Sequence, residues 1–525
     1  MRDFFGLGRS AVHATETMVA TSHPLAAATA LRVLAGGGNA ADAAVAAATM
    51  LGVVEPEQTG PGGDLFALIR DPASGSVTAI DGAGHAPAAA TAEGYRKAGL
   101  TAMPFDGPHA VTVPGAVDAW CAINARFGSR PLGELLAPSI RAAADGHPVH
   151  ERVAWDWANA AAGFARDANA AAVYLPGGAA PRAGALFRQP ALARTLERIA
   201  GQGRAGFYEG PVAAEMVAYL SARGGLHSLA DFAEQHTRML APLALPFRDL
   251  TVLQSPPSAQ GLTTLVILGL IERLDRPASD PLDPARVALL ARIAAAAYAQ
   301  RDAVIADRAA MAEGPEALLA PAALDRLAGD LERPAPPAPP PPPAGDTAYL
   351  AVVDGAGMAV SLISSVYKSH GSGLMPPGCG VLLQNRGAGF VLAEGHANAI
   401  GPRKRPLHTI IPGMALRQGG LAALLGVVGG DFQPFGQALV LTAMRDFGLD
   451  PQRALDLPRF FPFRGEARME PRLPAPARAA LVGLGLGPVT PAYPLGIGQA
   501  ILRDAASGTL TAGSDPRGDG LALGW

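Results

Sequence analysis

Eight of the ten residues from Pro334 to Pro343 are proline. Such a run fits neither a helix interior nor a central strand, because each proline fixes φ and lacks the N–H that both ladders use. It predicts an exposed, polyproline-II-like linker over 333–344 that divides the 525-residue chain in two. Patterning differs on its two sides. From about residue 115 to 330, Ala, Leu and Arg recur at 3.6 spacing, as in Ala191–Ile199, Pro211–Leu220 and Ala285–Ala303, and predict a helix-rich stretch. After the run, Thr347–Val353 (TAYLAVV) is β-branched, aromatic and apolar on both faces, the signature of a buried strand. Asp354-Gly-Ala-Gly357 reads as a turn and Met358–Val366 as the antiparallel partner. Val381–Leu383 and Leu421–Val428 are further strand candidates, so the last third is expected to be sheet-centred.

The first quarter alternates. Pro24–Leu34 predicts a helix stopped by Gly36-Gly37-Gly38, and Asn39 caps a second, small-residue helix over Ala40–Leu51. Thr59-Gly-Pro-Gly-Gly-Asp64 is a tight loop before the strand Leu65–Ile69. Ser228 caps a further short helix at Leu229. The glycines match neither GxGxxG nor GxxxxGK[ST], which argues against a nucleotide site.

Composition removes other classes. A net charge of −3 gives no basic field for nucleic acid. Two cysteines, Cys121 and Cys379, make no disulfide framework, and eleven histidines form no HxH or HxxxH pair, so neither metal nor other cofactor is expected. The first ten residues lack an apolar signal region, and no apolar stretch approaches the roughly 20 residues a membrane helix needs. The expectation is a cytoplasmic protein with no membrane or nucleic-acid partner.

Hairpin arithmetic then picks out one position. A turn centred near residue 355 or 356 pairs Thr347 with Ser364 or Ser365, depending on register. Thr347 opens a buried strand, faces a second hydroxyl and follows a linker. Hydroxyls in strands are common and often merely satisfied, but a threonine with a free α-amino group carries nucleophile and base in one residue. That amine, with a reference pKa of roughly 7.7–8.0, takes the hydroxyl proton near neutrality. It exists only if the Asp346–Thr347 bond is cut, which leaves fragments 1–346 and 347–525.

The same junction carries a family resemblance. His23-Pro-Leu25, Gly37-Gly38-Asn39-Ala40-Ala41-Asp42-Ala43-Ala44, Gly52-Val-Val-Glu-Pro56 and Val113-Pro114-Gly115 occur in order. Pro256-Pro257-Ser258, Gly345-Asp346-Thr347, Gly429-Gly430-Asp431 and Asp515-Pro516-Arg517 follow. Together, over nearly the whole chain, they resemble the γ-glutamyltranspeptidase family of N-terminal-nucleophile hydrolases. The resemblance implies an α+β, four-layer αββα sandwich (the Ntn-hydrolase fold), with two antiparallel sheets between helical layers. It implies self-cleavage between Asp346 and Thr347, with the two fragments remaining associated as one interleaved domain. By the same resemblance, Thr347 matches the nucleophile, Ser365 the hydroxyl that hydrogen-bonds it, and Gly429 and Gly430 the oxyanion-hole glycines.

Departures from the family pattern bear on substrate. Ala83 replaces the arginine, and Gly389 the acid, that hold a glutamyl head group in glutathione-cleaving members. His408-Thr409 replace paired serines, and Tyr367 an asparagine. Without counter-charges, desolvating a zwitterionic head group is costly. The substituted set, with Gln384-Asn385-Arg386-Gly387, looks more like the intracellular branch that includes oxamate amidohydrolase. Tyr367, Asn385, Arg386, His408 and Thr409 are therefore the expected substrate-binding residues, and Arg386 could pair with an acyl carboxylate. Phe432 and Phe435 point to a larger or more apolar acyl group than oxamyl. The expected activity is an amidohydrolase or acyltransferase acting on small acyl amides, with a homo-oligomer of the processed heterodimer as a further expectation. The alternatives are a γ-glutamyl transferase or glutathione hydrolase with a rewired pocket, and an uncut, non-catalytic binding protein.

Overall fold

The computed structural model describes residues 8–275, 280–331 and 345–525. The Pro-rich linker predicted over 333–344 lies outside them, and Gly345 and Asp346 are placed by their backbone alone. Two seven-stranded sheets, antiparallel at every pairing, form the centre. One runs in the order Val12–Ala14, Leu510–Ser514, Gly498–Arg503, Gly420–Val427, Gly413–Arg417, Leu250–Gln254, Leu243–Phe247. The other runs Leu521–Gly524, Met18–Thr21, Gly345–Val353, Ala359–Lys368, Asp64–Arg70, Val77–Gly82, Arg238–Leu240. Each sheet takes strands from both sides of the proline run.

Three cores account for the layering. Between the sheets, Phe66, Tyr349 and Ile363 meet Met414, Leu424 and Ile501. On the outer face of the second sheet, Leu350 and Leu362 pack against Ala43, Trp120 and Leu136 from helices. On the outer face of the first, Val252 and Leu425 pack against Leu265, Ile293 and Leu441. Helix, sheet, sheet, helix is thus the order of layers. The strand after the linker shows the period-2 logic directly: Ala348, Leu350 and Val352 face helices, while Tyr349, Ala351 and Val353 face the other sheet.

Local signals formed the expected elements. Asn39 and Asp42 make a reciprocal capping box for the helix Ala40–Val54, every residue of which is buried. Ser228 and Asp231 do the same for Leu229–Ala233. The predicted turn is held by Asp354, whose Oδ1 accepts from the N–H groups of Ala356 and Met358. Its Oδ2 accepts from the Ala40 N–H at 2.8 Å, which docks the hairpin turn on a helix N-terminus.

Two expectations are corrected. Val381–Leu383 is not a strand: Leu383 instead exchanges backbone bonds with Leu374 and Ser372 in a loop. The stretch before the linker is less purely helical than its composition suggests. Arg238–Leu240, Leu243–Phe247 and Leu250–Gln254 are strands that extend both sheets, too short for period-2 patterning to stand out among helices.

The Tyr349 ring of one sheet lies against Gly426 of the other; a Cβ at Gly426 would sit 2.3 Å from that ring. Gly426→Ala should therefore lower stability by about 1–3 kcal/mol through overpacking, read as a shift of the urea midpoint.

Candidate active site

At the start of the Gly345–Val353 strand the hairpin slips by one residue. Ala348 pairs with Ser364 and Asp346 with Tyr367, leaving Thr347 in the irregularity between them. Its Oγ1 donates to Ser365 Oγ at 3.1 Å. Of the two hydroxyls the arithmetic offered, Ser365 is the contact, while Ser364 turns to Thr59 and the Asp64 carbonyl.

The opposite strand bends to make this possible. Ser365 Oγ also accepts from the Tyr367 N–H at 2.8 Å, and Tyr367 adopts φ 82, a left-handed conformation that side chains rarely take. Val366 leaves the ladder as well: its N–H donates to the Gln58 carbonyl, and its carbonyl accepts from Asn385 N–H. The loop Thr59–Asp64 fits beneath, where a Cβ at Gly63 would lie 2.5 Å from the Ser365 carbonyl. Close backbone approach explains that glycine.

Gly429 and Gly430 end the Gly420–Val427 strand of the other sheet, with φ 116 and 59. The strand carrying Thr347 packs against the turn Gly430–Phe432. Among the described residues, no backbone carbonyl outside this turn accepts from either glycine N–H. The turn is pinned from behind by residues the sequence did not single out. Gln260 Nε2 donates to the carbonyls of Gly430 and Thr409, and its Oε1 accepts from Arg301. Arg301, fully enclosed, also pairs with Asp431.

Tyr367, Gly429 and Gly430 line a cavity of about 440 Å³, together with Phe432, Phe461 and Tyr493. Thr347 is only 2% exposed in this uncut chain. Phe435 lies outside the cavity, in the core against Phe460 and Phe461.

The remaining predicted residues gather behind Tyr367. Arg386 is completely buried, with its Cζ 4.1 Å from the Tyr367 ring centroid. Its Nη1 donates to Thr409 Oγ1 at 2.8 Å, while Nε and Nη2 have no partner. Burial lowers its pKa to about 10 and raises that of Tyr367 to about 12. Asn385 spends its amide on backbone: Oδ1 accepts from Lys368 N–H and Nδ2 donates to the Phe105 carbonyl.

His408, also fully buried, has Nε2 2.9 Å from Asp64 Oδ2. Its Nδ1 faces the Ile410 N–H, which can only donate, so the proton sits on Nε2 and points at the carboxylate. Burial, followed by the nearby Arg386 charge, pushes its pKa down to about 4 despite that carboxylate. Asp64 is the hub missed by sequence reasoning: its Oδ1 accepts from the N–H groups of Gly84 and Gly115 and from Gln384 Nε2. The signal was there, as the last residue of the glycine-rich loop. Cys121 and Cys379 are free thiols. Among the described residues, no cluster of three His, Cys, Asp or Glu side chains is placed to hold a metal, and no helix is long and apolar enough to cross a membrane.

Comparison with known proteins gives a consistent picture. A family model described as Gamma-glutamyltranspeptidase matches residues 26–525. The chain is 36% identical to the Glutathione hydrolase-like YwrD proenzyme of Bacillus subtilis, over 97% of this chain and 98% of that protein. It is equally 36% identical to the Oxamate amidohydrolase proenzyme of Klebsiella pneumoniae, over 97% and 99%. The crystal structure of cephalosporin acylase from Bacillus halodurans superposes with a TM-score of 0.93 at 35% identity, covering 100% of this chain and 98% of that one.

A neutral, buried His408 sets a pH dependence. Unfolding restores a pKa near the ordinary 6.5, so between 6.5 and about 4 the unfolded chain binds the extra proton. Its contribution is full above pH 6.5 and is lost as pH falls towards 4. Thermal melting across this range should show that loss, and His408→Gln should flatten it.

Proposed function

The chain belongs to the γ-glutamyltranspeptidase family and is an enzyme of it, and from that premise we propose a self-cleaving amidohydrolase that works through an acyl-enzyme on Thr347. One observation carries the reading. A threonine at the predicted junction sits in a strand irregularity, bonded to Ser365 Oγ at 3.1 Å, with its strand packed against the Gly430–Phe432 turn.

In the first reaction Thr347 Oγ attacks the Asp346 carbonyl carbon. The C–N bond breaks, an ester replaces it, and water hydrolyses the ester. Thr347 then owns a free amine, and Asp346 leaves the ladder position opposite Tyr367. In turnover, that amine accepts the Thr347 hydroxyl proton as Oγ adds to the substrate amide carbonyl. Ser365 holds Oγ in place, and the N–H groups of Gly429 and Gly430 receive the oxyanion. One such donor is worth about 10²–10³ in rate where it has been removed elsewhere. The amine product departs with the proton, and water, or an acceptor amine, releases the acyl group.

The acyl group we assign is small and carries a carboxylate, as oxamate does. Arg386 supports this, being a fully buried guanidinium whose Nε and Nη2 have no partner. A glutamyl head fits less well: a Cβ at Gly389 would lie 2.8 Å from the Leu407 carbonyl, which leaves no room there for an acid.

Intact-mass measurement tests the first reaction. Wild type should yield two chains that part at Asp346–Thr347, and Thr347→Ala a single chain; cleavage of that variant at the same bond would refute self-processing. Arg386→Met should raise KM for oxamate by about tenfold or more, the loss of a charge-assisted pair, with little change for an uncharged acyl amide.

A further inference from the structure

We propose that the aromatic cavity beyond Gly429 and Gly430 is the subsite for the amine half of the substrate, and that the amines it takes carry an uncharged aromatic ring. The proposal rests on the acyl-enzyme reading above and adds the second half of the substrate to it.

Size is the first argument. A cavity of about 440 Å³ lies in the range of pockets that enclose whole drug-sized ligands. A small acyl group whose leaving group is ammonia would leave most of it empty.

Position is the second. Tyr367 lines the cavity and its ring also covers Arg386, which does not line it. Arg386 therefore lies against the Tyr367 ring without lining the cavity, whereas Gly429 and Gly430 form part of the cavity wall. An amide whose carbonyl oxygen meets these glycines, with its acyl end turned to Arg386, sends its nitrogen substituent into the cavity.

The walls give the chemistry. Phe461 and Phe463 stack at 4.9 Å and 10°, and Phe432 meets Phe461 edge-on at 5.4 Å. Phe461 and Phe463 belong to a separate three-stranded sheet, Phe460–Phe463, Glu466–Met469 and Gly487–Val489, that stands outside the two main sheets. Its aromatic face and the following loop supply the cavity wall. The charged residues there are matched: Arg152 with Asp156, Asp431 with Arg301, Arg468 with Glu466. A charged amine substituent finds no free counter-ion.

The exposed surface beside the wall is aromatic too. Tyr493, on the cavity wall, is 38% exposed and meets Trp155, 41% exposed, edge-to-face at 5.1 Å. Arg152, another wall residue, places its Cζ 4.9 Å from the Trp155 ring centroid. It is itself fixed by Asp156, the Arg517 carbonyl and, through its N–H, Asp519. Two large aromatic side chains, one on the wall and one against it, are thus held half-open to solvent beside the cavity, where an aryl group could pack against them edge-on.

The test compares N-ethyl oxamate with N-(2-phenylethyl) oxamate on the self-cleaved enzyme. The two share an acyl group and leaving amines of similar basicity. The phenylethyl amide should have a kcat/KM about tenfold or more higher, within what a few well-packed groups give in an apolar pocket. Trp155→Ala and Tyr493→Ala should each lower kcat/KM for that amide by about fivefold, mainly through KM. Turnover of both amides at equal kcat/KM, or a preference for the ethyl compound, overturns the subsite while the acyl-enzyme reading stands. If self-cleaved enzyme turns over neither amide, the acyl-enzyme reading fails and the subsite with it.

Discussion

A single slipped residue in an otherwise regular hairpin is the constraint on which the rest of the site depends. From Val353 back to Ala348 the two strands keep one register, and between Ala348 and Asp346 that register shifts. The far end cannot move to absorb the slip, because Asp354 ties the turn to itself and to the N-terminus of the helix Ala40–Val54. All of the irregularity is therefore concentrated at Thr347. There Ser365 Oγ takes both the Thr347 hydroxyl and the Tyr367 N–H, and Tyr367 is driven to φ 82. Backbone strain of this kind persists only where surrounding contacts over-determine it. Gln58, Asn385 and the glycines of the Thr59–Asp64 loop provide those contacts.

What could be read from the sequence follows from the range of the interactions concerned. The capping boxes at Asn39 and Ser228, the Asp354 turn and the two-faced apolar strand at Thr347 each depend on residues a few positions apart. The hairpin arithmetic brought Thr347 to within one residue of its contact, but the choice of Ser365 over Ser364 is made by packing from other segments. Val381–Leu383 shows the converse. Its composition is that of a strand, yet a Cβ at Gly62 would lie 2.0 Å from the Leu382 carbonyl, so the Gly62 backbone occupies the space beside it. Asp64, Gln260 and Arg301 went unread for the same reason. Their partners lie tens to hundreds of residues away, and although the glycine-rich loop marks Asp64 as a turn residue, no spacing announces its partners.

The charges behind Tyr367 obey a stricter logic than those elsewhere. Asp64 is surrounded by donors that are all neutral: two backbone N–H groups, the Gln384 amide and the His408 Nε2–H. Keeping His408 neutral is what places Arg386 in an unusual position. A protonated imidazolium there would add a second buried cation beside the guanidinium, and the downward shift of the His408 pKa reflects that repulsion after the effect of burial. Arg386 is left with a hydroxyl, an aromatic face and two nitrogens without a partner, in a place where burial alone already depresses its pKa. A buried cation so thinly supported is costly to the folded chain. The fork geometry of the guanidinium suits a carboxylate in a way a lysine would not. Tyr367, in its left-handed conformation, thus touches both the buried guanidinium of Arg386 and the aromatic cavity.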